Sequence, residues 1–203
     1  MSPRKLSAAM SLEPSYVHRT PDFVRSGAEW CEITQRAPSG FCIRLGGMFR
    51  PAWLAALCTG LAGHRVSIDS AHARLTEDGS WIAELNVVPE DAGLYLGAAH
   101  YIDLARTGSA HSSPPRVIGH ELASSTDHGG TLKLSIEALD RLGLLGGLLA
   151  MLAELALYPV EMHIETHKGR AYDCLWLAQL GAARPSAAAR RALDRVLSTA
   201  LQA

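Results

Sequence analysis

Lysine is nearly missing from this chain: of 19 basic residues only Lys5, Lys133 and Lys168 are lysines, and 20 acidic residues bring the net charge to -1. A balance so close to zero creates no global field toward nucleic acid or an anionic membrane, and neither is expected as a partner. Cysteine is sparse as well. Cys31, Cys42, Cys58 and Cys174 form no C-x-x-C pair. Cys42, Cys58 and Cys174 lie inside apolar patterns, where a free thiol behaves as a small hydrophobe, so a reduced, cytoplasmic protein is expected. No run approaches the roughly 18 apolar residues of a membrane span. The segment LLGGLLAMLAELAL is shorter, carries Glu154, and reads as a packed helix. The start, MSPRKLSAAMSLEPS, has no apolar stretch of secretory-signal length. A Walker sequence, a G-x-G-x-x-G loop after a strand and a Ser/His/Asp context are also missing.

What is present is a chain of 203 residues, 48% hydrophobic and 19% charged, enough for a well-buried globule of one domain or two small ones. Its organising feature is self-similarity. Leu54, Leu57, Cys58 and Leu61 recur as Leu145, Leu148, Leu149 and Leu152 at a constant offset of 91, each set one stripe of an amphipathic helix. Each helix follows a short strand (41–47 or 131–136). Each then leads to alternating segments, RVSIDSAHARL or YPVEMHIETH, that read as strands. Turns at EDG (77–79) and KG (168–169) lead into WIAELNVV and RAYDCLWL. A helix over 92–107 and a strand over 115–124 complete a β-α-β-β-α-β pattern in the first copy. The second copy ends in a helix over 185–203, capped by Ser186, and lacks a fourth strand. EWCEIT (29–34) is the candidate to supply it.

Two such units, each with a strand-to-helix turn like DRLGLL (140–145), resemble tandem ACT domains. The arrangement is similar to the ACT pair of bacterial uridylyltransferase/uridylyl-removing enzymes and to the glycine cleavage system repressor. The resemblance implies an α+β fold of two ferredoxin-like ACT-type units. These would be an N-terminal arm over 1–38, a first ACT-like domain over 39–126 and a second over 127–203. It also implies a cofactor-free bacterial regulatory protein that binds a small effector, an amino acid by analogy, and acts on a protein partner or as a homodimer. The effector residues would be Asp140, Arg141, Leu142, Gly143 and Leu144. Asp140, in an N-cap-like position, would take an ammonium group, and the amides near Gly143 a carboxylate. Arg50 and Arg141 occupy the same position in both copies, where an arginine can clamp a carboxylate. Copy one carries Phe49 and Ala52 in place of Asp and Gly, so copy two is expected to be the working site and copy one scaffold.

A second class of function stays open. On a strand, Glu161, His163, Glu165 and His167 share one face, opposite the apolar Val160, Met162 and Ile164. Together with His72, on the matching strand of copy one, they could do general acid/base work in a small cyclase or cofactor-free catalyst. The same set also reads as a solvated face. A metal is not expected, because His163 and His167 on one strand stand about 13 Å apart.

Overall fold

The computed structural model describes residues 28–36, 39–91, 97–107, 115–182 and 184–201. The arm over 1–27, the start of the expected 92–107 helix and most of the loop over 107–115, with His111, lie outside the described residues. The alternating segments form eight strands: β1 (Trp30–Arg36), β2 (Gly40–Gly47), β3 (Val66–Leu75), β4 (Trp81–Pro89), β5 (Val117–Ser124), β6 (Leu132–Leu139), β7 (Leu157–His167) and β8 (Arg170–Gln179). The leucine stripes form α1 (Trp53–Gly63) and α3 (Leu144–Glu154), joined by α2 (Ala98–Thr107) and α4 (Ala187–Ala200). Ser186 caps α4 by accepting a bond from the Ala189 amide at 3.1 Å.

All eight strands join one antiparallel sheet in the order β1-β2-β4-β3-β7-β8-β6-β5. The edge strands correct the expected assignment. β5, expected to close the first copy, pairs with β6 of the second, and β1, offered to the second copy, pairs with β2 of the first. Each therefore lies beside the strand that follows it in the chain, where a short connection closes at small entropic cost. The chain thus runs β-β-α-β-β-α twice. The halves meet through β3 and β7, with Ala71 opposite Ile164, His72 opposite His163 and Ala73 opposite Met162.

Backbone irregularities repeat at the same spacing as the leucines. The register of β3 shifts around Asp69 and that of β7 around Val160, residues 91 apart in sequence. Arg65 (φ 57°) and Ala156 (φ 56°), also 91 apart, both take the left-handed conformation after their helix. His72 and His163 share this spacing and pair with each other, so a local two-fold axis passes between them.

One core joins the inner sheet face to all four helices. Leu54, Leu57, Leu61, Leu148 and Leu152 are at most 1% exposed, and Tyr101 of α2 with Leu193 and Leu197 of α4 join the same cluster. The helices α1 and α3 approach closely above the seam. A Cβ built on Gly146 would lie 2.9 Å from Thr59 Oγ1 and 3.1 Å from the Thr59 amide nitrogen, so glycine there is a packing requirement. No described helix is long and apolar enough to cross a membrane.

Replacing Leu148 by Ala should cost about 2–5 kcal/mol in urea unfolding, because the buried site can collapse only in part. The same change at Leu180, 64% exposed, should stay within about 0.5 kcal/mol.

Candidate functional site

The segment between β6 and α3 does not run as the sequence suggested. Gly143, not Asp140, is the N-cap of α3; it sits at φ 81° and gives no side-chain cap. Left-handed backbone at this glycine starts the helix later than an Asp140 cap would. Asp140 is instead held at the end of β6, where its amide donates to the Gly169 carbonyl at 3.0 Å and its carboxylate accepts from the Arg141 amide.

The turn leans across the seam. Asp140, Arg141, Leu142, Gly143 and Leu144 form one wall of a cleft, with Val66, Ser67 and Ile68 of β3 opposite. Its floor includes Ile164 and Thr166 of β7, Asp173 of β8 and Cys58 of α1. The cleft holds about 410 Å³ counting its open mouth.

Asp173 was not singled out by sequence, and it is the most informative residue here. It pairs with Ile136 and Ile164, in the strand phase that otherwise holds Ala171, Leu175 and Leu177. It is 4% exposed, and its Oδ1 has no hydrogen-bond partner. Burial, then the nearby Asp140 charge, pushes its pKa up to about 7. Burial, followed by the charge of Asp69, also raises Asp140. Cys58 is pushed to about 12, first by burial and then by Asp173, which makes it an unreactive thiol. A charged residue in an apolar strand phase was the signal that could have found Asp173.

The two-fold relation supplies an internal control. At the first-copy turn, Pro51, Ala52, Leu54 and Ala55 face Leu157, Tyr158 and Pro159 across an apolar cleft. The positions matching Asp140, Asp69 and Asp173 are Phe49, Val160 and Ala83; Ala83 pairs with Leu45 and Ala73 as Asp173 does with Ile136 and Ile164. Phe49 stacks on Trp53, with ring centroids 4.9 Å apart. Arg50 is exposed at this turn and does not line the copy-two cleft.

The opposite sheet face carries the second candidate set. His163 Nε2 lies 2.8 Å from Glu161 Oε1, and His72 Nε2 lies 3.8 Å from the same oxygen. His128, in the short 3-10 turn Asp127–Gly129, places Nε2 2.8 Å from Glu161 Oε2. Sequence reading did not connect His128 to this group, and no local pattern announces it. Hydrogen bonding from His163 and then His72 holds Glu161 well below the usual carboxylate range. Glu165 and His167 lie farther along the strand, both exposed, and do not join the cluster. Elsewhere His64 pairs with His100 and His120 with Asp194.

No protein-family model and no curated protein matches the chain.

The Asp173 pKa gives a signed expectation. Its folded value lies above the ordinary 3.8, so the stability it contributes is complete below about 3.8 and is lost as pH rises through about 7. Asp173→Asn removes that loss. The variant should melt progressively higher than wild type between about pH 4 and 7 and keep that lead above it, gaining about 1–3 kcal/mol.

Proposed function

We propose that this chain is a tandem ACT-type regulatory protein whose second half binds a small amino acid in the seam cleft. In this reading each half is a ferredoxin-like unit whose edge strand precedes it in the chain. The observation that carries the proposal is the buried Asp173 carboxylate, aimed into the cleft with an unpartnered oxygen. A native fold keeps such a group where a ligand completes it. Asp140 and Asp69 add negative charge for an ammonium group, while Arg141 and the amides that open α3 suit a carboxylate. A zwitterion satisfies both ends. Binding across β3, β7 and the α3 turn would bear on how the halves sit together, which gives the effector a route to a protein partner.

The catalytic alternative, with Glu161, His163, Glu165, His167 and His72 as acid/base residues, is less well supported. A carboxylate stabilised by imidazoles is a weak base.

A thermal-shift screen of the common amino acids tests the proposal. An effector at a hundred times its dissociation constant should stabilise by about 2.7 kcal/mol. Its affinity should rise as pH passes through about 7, because the ammonium favours the ionised Asp173. Gly143→Ala should weaken binding at least about tenfold, since φ 81° is strained for alanine and the backbone approach is lost. Ala52→Gly should leave binding unchanged. Absence of any shift, or equal loss in the two variants, contradicts the reading.

A further inference from the structure

The outer face of the sheet gathers three imidazoles around one carboxylate, from three elements remote in sequence. We propose that His72, Glu161 and His163, with His128 holding Glu161 in place, bind a divalent first-row metal ion of the zinc class. One ligand atom from each of His72, Glu161 and His163 lies within 4.8 Å of the others. Zinc held tetrahedrally at about 2.0–2.1 Å places its ligand atoms about 3.3 Å apart. The observed separations of 2.8 and 3.8 Å from Glu161 Oε1 bracket that value. His128 approaches the other oxygen at 2.8 Å, outside the three-ligand set, so it holds Glu161 in place and leaves the fourth position of the ion to solvent. His72 and His163 both present Nε2, and imidazole nitrogen with a carboxylate oxygen is a donor set that suits zinc, cobalt or nickel.

The two-fold axis accounts for the convergence. His72 and His163 are equivalent residues paired across it, with ring centroids 4.5 Å apart, so the register of β3 against β7 forces them together. Protonated, they would repel; a divalent ion takes both in their neutral form. Glu161 breaks the symmetry, because its counterpart Ser70 is engaged by Asn86 at 2.8 Å. Trp176 walls the site, with its ring 5.5 Å from His163 and 6.2 Å from His128, and Lys133 lies over that ring at 5.0 Å. Cys174 stands opposite His163 on β8 and Glu84 opposite His72 on β4. A bound ion would tie the connection between the halves, through His128, to the strands that join them. The site revises the expectation of no metal, which weighed only His163 with His167; their separation along one strand still excludes a shared ion, and it is His72 from the other half that joins His163.

The untagged chain, stripped with EDTA, is titrated with Co²⁺ at about pH 7.5. One equivalent should produce visible d–d bands of tetrahedral strength, bleached by one equivalent of Zn²⁺. His163→Ala and Glu161→Gln should each weaken binding at least about tenfold, and His128→Ala should weaken it as well. His167→Ala and Asp173→Asn should bind as wild type, which separates this site from the seam cleft. Circular dichroism checks the fold of each variant, and the near-isosteric Glu161→Gln carries the test if an alanine variant unfolds. Absence of bands in wild type, unchanged affinity in Glu161→Gln, or an equal loss in His167→Ala overturns the proposal.

Discussion

The antiparallel pairing of β3 with β7 is the interaction on which both candidate sites depend. Without it each half would leave an unpaired inner edge, a liability for a long strand. With it the halves share one sheet and one core, and two surfaces arise at the same seam. On the helix side the α3 turn meets the start of β3 and encloses a cleft. On the outer side His72 meets His163. A one-residue slip would turn these side chains to the wrong faces, so the apolar packing that fixes the register also fixes the chemistry. The small Ala71 and Ala73 opposite Ile164 and Met162 contribute to that fit, as does Gly146 beneath Thr59.

Near-symmetry makes the departures from it informative. The leucine stripes, the bulges and the left-handed residues after α1 and α3 all repeat, because each serves packing or chain reversal in both halves. The acidic residues around the cleft do not repeat. Phe49, Val160 and Ala83 occupy one turn where Asp140, Asp69 and Asp173 occupy the other. Three acid-to-apolar differences around one position are hard to attribute to fold. The buried carboxylate works against stability at neutral pH. The proposed binding role would account for its retention.

Most elements were legible because period and burial agree. Alternation in VEMHIETH and the stripe through Leu145, Leu148, Leu149 and Leu152 translate directly into β7 and α3. Edge-strand pairing was not legible, since β1 and β5 carry weaker apolar patterns and only chain proximity distinguishes their partners. The turn residues 140–144 could be named because Asp and Gly are distinctive there, yet their geometry differs from a simple cap. Asp173 was visible in principle as a charge in the phase of Ala171 and Leu175. His128 was not visible, because it reaches Glu161 only after β5 and β6 have set the path of the connection between the halves.

The most direct test follows the Asp173 carboxyl carbon by NMR as pH is varied, with and without a saturating amino-acid effector. The account predicts a midpoint near 7 in the free protein, falling by about one pH unit or more once an ammonium group sits against the carboxylate. A midpoint that ligand leaves unmoved would contradict the claim that this buried charge is kept for binding.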